Sequence, residues 1–234
     1  MYLCPRHRNM NYLKEIKILL TREFTREFSN KSSIFSILLY ITSITYLLYF
    51  LLNVQGALVN FEVKYWNILY WLIILFSSLN TIVLNFTKET RGIYLYYYTL
   101  LSPEGFIISK IVYHILISTI LSVLTFGIFL MWFGNPVVNT LLFLGVVILG
   151  SVSFSILYTL MSAISFHTQN STIIASILGF PLTIPIITYI TRLCRETFNT
   201  AVSDNIGSNF SILLGFNIIM ILLSVILYPY IWKE

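Results

Sequence analysis

The side chains with most chemistry to offer interrupt an otherwise oily chain. Lys88, Glu89, Arg91 and Gly92 come first, then Tyr94, Tyr96, Tyr97 and Tyr98, then Ser102-Pro103-Glu104. Charges of both signs beside phenols suit docking by ion pairs and hydrogen bonds. Elsewhere the signs of catalysis are missing. His7, His114 and His167 fall in separate segments without an H-E-x-x-H or G-x-S-x-G pattern. No G-x-x-x-x-G-K-[ST] loop occurs, so the chain is not expected to hydrolyse ATP by itself. Cys4 and His7 have the spacing of half a metal site, but no second pair follows, and a solvated tail is the better reading.

The elements that must position these residues are membrane spans. Of 234 residues, 57% are hydrophobic and 10% charged, with a mean hydropathy of +0.84, more apolar side chain than one soluble core hides. Six stretches approach or exceed the ~20 residues that cross a bilayer: Ser33–Asn53, Tyr65–Phe86, Phe106–Phe133, Val137–Ala163, Ser171–Thr191 and Phe210–Trp232. The fold expected is all-α, with residues 1–32 as a cytoplasmic tail and amphipathic helix and 33–234 as the six-span domain. The first span follows a charged segment and lacks a small-residue cleavage site, so it reads as retained. Met10 is a second plausible start.

Charge sets the orientation. Arg6, Arg8, Lys14, Lys17, Arg22, Arg26 and Lys31 precede the first span, which places both termini in the cytoplasm, with the segment from Lys88 to Gly105. The outside then holds only Lys64, Arg192 and Arg195. The basic balance is thus a topology signal and points to no nucleic acid. Cys4 and Cys194 fall on opposite sides and cannot pair. Ile16, Leu20, Phe24 and Phe28 make one stripe of a basic amphipathic helix with Arg22, Glu23, Arg26 and Glu27, which rests on membrane lipids or meets a cytoplasmic partner. The spans carry no Asp or Glu, which disfavours a proton-driven carrier. Lys110 is placed to snorkel back to the interface. His114 reads as hydrogen-bonded between helices, with heme ligation or proton transfer as alternatives.

In the fifth span Ser171, Ala175, Gly179 and Thr183 form a small-residue stripe that permits close helix approach. Pro181 and Pro185 predict a kink there, either for packing or as a hinge. Trp66, Trp71, Trp132 and Trp232 lie near span ends and suit the headgroup belt. Ser102 and Pro103 predict a helix start. The ordered segment before it is what a membrane subunit offers to a soluble motor that receives a short helix in a groove.

"FTKETRGIYLYYYTLLSPEGFIISKIVYHIL" resembles the E-x-x-G, L-x-x-P and K arrangement of ABC-2-type exporter permeases. "ILGFPLTIPIITYITRL" resembles the Pro-rich fifth span of the heme exporter protein B family, the permease subunit of the cytochrome c maturation system. Family members often carry an acidic cluster where this chain has Lys88-Glu89-Thr90-Arg91, and a Leu-Pro-Leu-Pro stretch where it has Leu101-Ser102-Pro103. The resemblance implies a bacterial inner-membrane complex. Its expected partners are an ABC ATP-binding subunit, a tryptophan-rich heme-handling membrane subunit and a periplasmic heme chaperone. It also implies a non-catalytic permease that binds no cofactor directly, with heme and ATP handled by the partners. Lys88, Glu89, Arg91, Gly92, Tyr94, Tyr96, Tyr97, Tyr98 and Pro103 are the expected coupling contact to the ATPase; Gly179, Pro181 and Pro185 form the kinked element. A different ABC-2-type exporter, of lipid, polysaccharide or drug, is the alternative; a secondary carrier is the weaker one.

Overall fold

A computed structural model describes residues 12–29, 31–56, 62–87, 101–166, 168, 170–198 and 206–232. Its helices are α1 (Tyr12–Ser29), α2 (Lys31–Val54), α3 (Val63–Thr87), α4 (Pro103–Phe133), α5 (Thr140–Ser165), α6 (Ser171–Phe198) and α7 (Ile206–Ile231). Six of them, α2 to α7, are long and apolar enough to cross a membrane. The expected all-α, six-span fold is the observed one.

Local capping chemistry moves two boundaries. Ser102, in extended conformation, accepts the Gly105 N–H at 3.2 Å and Pro103 opens the helix, so α4 starts a turn earlier than hydropathy suggests. Asn139 accepts the Leu142 N–H at 3.1 Å, which starts α5 at Thr140; the N–H groups of Val138 and Asn139 donate instead to Thr197 O, both at 3.1 Å. The loop ahead of α5 is thereby tied to the end of α6.

The centre of the bundle is α5, packed against α3, α4, α6 and α7. Its small residues receive large neighbours. A Cβ on Gly150 would lie 2.5 Å from the Trp71 ring, and one on Gly179 of α6 would lie 3.0 Å from the Tyr158 ring of α5. The α6 stripe Ala175, Gly179 and Thr183 is buried, as a close-approach stripe requires, while Pro181 and Pro185 sit on the exposed face of the same unbroken helix.

Three of the four tryptophans depart from the belt reading, while Trp132 stays half-buried at its span end. Trp66 and Trp71 are each 1% exposed. Trp66 lies against Tyr70, Phe129 and Phe143 at centroid distances of 5.5, 5.4 and 5.7 Å, and Trp71 Nε1 donates to Cys194 Sγ at 3.2 Å. Position near a span end is compatible with either lipid or core, and in a six-helix bundle these two ring faces gain more from aromatic packing. Trp232 also turns inward, 5.3 Å from Phe106 and 5.4 Å from Tyr228.

Candidate functional site

The segment expected to carry coupling, Lys88, Glu89, Arg91, Gly92, Tyr94, Tyr96, Tyr97 and Tyr98, lies outside the described residues, as does the Glu27 side chain. Its two flanks are described. They are the end of α3 and the start of α4, and one helix, α1, is bonded to both.

At the α4 flank, Glu15 of α1 accepts from the Ser102 backbone N–H at 2.7 Å and from the Ser102 hydroxyl at 3.1 Å. A carboxylate here satisfies a donor at a helix N-terminus and meets the positive end of the α4 dipole. The junction has no spare room: a Cβ on Gly105 would sit 2.6 Å from Ser102 Oγ and 3.1 Å from Glu15 Oε1. Pro103, the one coupling residue described, is at the first turn of α4 directly over this contact.

Two turns further on, Glu23 forms the centre of an ionic group. Its Oε1 is 3.2 Å from Lys110 Nζ of α4 and its Oε2 is 3.1 Å from Arg26 Nη2. The Glu23 and Lys110 side chains are 4% and 1% exposed, whereas Arg26 keeps 33%. Arg26 Nη2 also donates to Asn85 Oδ1 at 3.0 Å, close to the end of α3. Phe24 meets Tyr113 edge-on at 5.4 Å. The sequence Glu15–Ser102, Glu23–Lys110, Phe24–Tyr113 advances in the same direction along both helices, so α1 runs parallel to the first three turns of α4. Lys110 therefore does not snorkel to solvent; its charge is neutralised inside the α1–α4 contact.

This arrangement revises the face of α1. The hydrophobic stripe leaves Ile16, Leu20 and Phe24 half-buried, while the buried line is Glu15, Leu19 and Glu23. Carboxylates can hold the inner face because Ser102 and Lys110 are waiting for them, and burying either one unpaired would be costly. Of the interface residues named from sequence, Glu23 and Arg26 are brought into one network and Arg22 lies half-buried beside it. Glu15, Asn85 and Lys110 were missed as members of the site. The available signal was the spacing of the two carboxylates, eight residues apart, matching the eight between Ser102 and Lys110.

Deeper in the bundle, His114 Nδ1 lies 2.8 Å from Thr159 Oγ1 of α5. The Thr159 hydroxyl donates to Ser155 O at 2.6 Å, an arrangement that suits a histidine tautomer donating from Nδ1. Ser155 Oγ approaches His114 O at 3.3 Å, and Thr119 pairs with Ser151 at 3.0 Å. His114 is thus a helix-joining residue, as the plainer sequence reading had it. Among the described residues no three His, Cys, Asp or Glu side chains converge as metal ligands. The α1 contact offers ion pairs and a part-buried carboxylate–amide bond, which suit mechanical connection between helices.

A family model described as CcmB protein matches residues 14–230. No curated protein and no solved structure matches the chain.

Proposed function

The chain belongs to the CcmB protein family, a family of heme exporter permease subunits in cytochrome c maturation, and from that premise we propose that it couples ATP hydrolysis by a separate ABC subunit to release of a heme-loaded chaperone. The observation that carries the coupling part is the bonding of α1 to both flanks of residues 88–100, through Asn85 before and Ser102 after. A force applied to that segment by a soluble partner meets α1, α3 and α4 together. The proposal puts the segment and both termini in the cytoplasm of a bacterial inner membrane, in agreement with the distribution of Lys and Arg. A tryptophan-rich membrane subunit would handle heme, and Pro181 and Pro185 would serve as the deformable part of α6.

The test is affinity purification from the native membrane in mild detergent, comparing the natural chain with Glu89→Lys. The natural chain is expected to bring an ATP-binding subunit and a heme-handling partner. The variant is expected to insert normally and to leave ATP hydrolysis running while cytochrome c maturation fails. Absence of any ATPase among the partners, or full maturation with Glu89→Lys, would contradict the proposal.

A further inference from the structure

At the end of the bundle opposite α1, the last turns of α6 and the first turn of α7 form an open, solvent-facing pocket of about 380 Å³ lined by Arg192, Arg195, Glu196, Ser208 and Asn209. That volume is within the range of small-ligand sites. Two guanidinium groups one turn apart face it, and neither Arg192 nor Arg195 makes an ion pair among the described residues. The third basic side chain near this end, Lys64, is already paired with Glu62 at 2.6 Å. Membrane proteins keep most of their positive charge at the other face, so two exposed arginines with no ion pair among the described residues, one turn apart on the same pocket, present a concentrated positive patch that suits an anion.

From these groups the geometry points to a phosphodiester site, occupied by the headgroup phosphate of a phospholipid. Arginine forks match phosphate oxygens in pairs, and Ser208 and Asn209 add polar side chains in the first turn of α7, where backbone N–H groups are unspent. Glu196 lines the same cavity, so the three charged side chains sum to one positive charge. A singly charged diester balances that; a free dianion overfills it. Depth selects the lipid. Arg192 lies roughly 31 Å along α6 from Ser171 at about 1.5 Å per residue, close to the ~30 Å of a hydrocarbon core, which puts the guanidinium at the phosphate layer. Its guanidinium sits 5.5 Å from the Tyr189 ring, one turn deeper. Below the cavity Phe210, Leu214 and Ile218 follow one another down α7 with 38%, 40% and 57% exposure, a track for an acyl chain. The wall is held in place by the two N–H donations onto Thr197 O.

The experiment uses the full chain in detergent after reconstitution with phosphatidylglycerol, with native mass spectrometry of retained lipid, for the natural protein, Arg192→Gln/Arg195→Gln and Arg192→Lys/Arg195→Lys. Retained lipid is expected to fall by about tenfold or more in the glutamine pair, the equivalent of losing one charge-assisted contact, and only partly in the lysine pair. A parallel thermal melt with added inorganic phosphate separates sources. A shift in the natural protein that vanishes in the glutamine pair keeps the phosphate site and moves its source to solution. Equal lipid retention in all three proteins, with no response to phosphate, overturns the site.

Discussion

The two ends of the bundle are built on different principles. Around α1 the contacts that bind it to both flanks are polar and directional, beside the Phe24–Tyr113 ring contact: Glu15 on Ser102, Glu23 between Lys110 and Arg26, Arg26 on Asn85. At the far end α3, α4, α5 and α6 meet through rings, with Trp66 and Tyr70 among Phe126, Phe129, Phe143 and Phe198, and the Tyr70 hydroxyl reaches Ser122 O at 3.1 Å. Ring clusters resist rearrangement because close-packed side chains have no graded alternative. Arg26, which keeps a third of its side chain exposed, can exchange its partners for water or for another subunit's charges at small cost, whereas the buried Glu23–Lys110 pair anchors the contact. On the proposed function, the end facing the motor is the one to be addressed and the ring end the one that stays fixed.

The largest effect should come from breaking the charge balance at the α1 end. Glu23→Ala leaves the Lys110 ammonium buried, and removal of one partner from such a pair costs about 3–5 kcal/mol. Chaotrope unfolding in micelles should show that loss, and Lys110→Met added to it should recover most of it. An unchanged midpoint in the single variant would mean that Lys110 finds water. At the ring end Phe143→Ala is expected to lose a similar ~3–5 kcal/mol, yet the surviving protein should retain normal coupling of ATP hydrolysis to maturation. Loss of coupling in proportion to stability would erase the distinction between the ends.

Smaller effects sharpen the comparison. Gly150→Ala drives a methyl into the Trp71 ring, an overpacking cost of about 1–3 kcal/mol, measurable as a lowered melting temperature; Trp71→Phe in the same chain should relieve part of it. Ser102→Ala removes a cap worth about 1 kcal/mol and one hydroxyl from Glu15. Its signature is faster amide exchange over Gly105 and Phe106, with little change at the ring end.

Much of this was legible from residue order because hydrocarbon length and capping are local. Six apolar stretches gave six spans, and Ser102-Pro103 gave the start of α4. The small stripe on α6 followed from period alone. What sequence hid was pairing between distant elements. Charges on an amphipathic helix ordinarily face water, so Glu15 and Glu23 carried no mark of burial until α4 supplied Ser102 and Lys110. Trp66 and Trp71 failed for a related reason: an indole near a span end fits the headgroup layer or the core equally well, and what decides it is the distant Phe129 and Phe143 rings for Trp66 and the Gly150 gap and Cys194 acceptor for Trp71.

In the proposed function α1 carries motion from residues 88–100 into the spans. The most direct measurement of this is the ratio of cytochrome c matured to ATP hydrolysed by the assembled complex bearing Glu15→Ala with Arg26→Ala, which removes the acceptor for Ser102 and the donor to Asn85 and leaves the Glu23–Lys110 pair in place. The account predicts ATP hydrolysis near the natural rate with a sharply reduced ratio. A natural ratio in a complex of normal composition would contradict it.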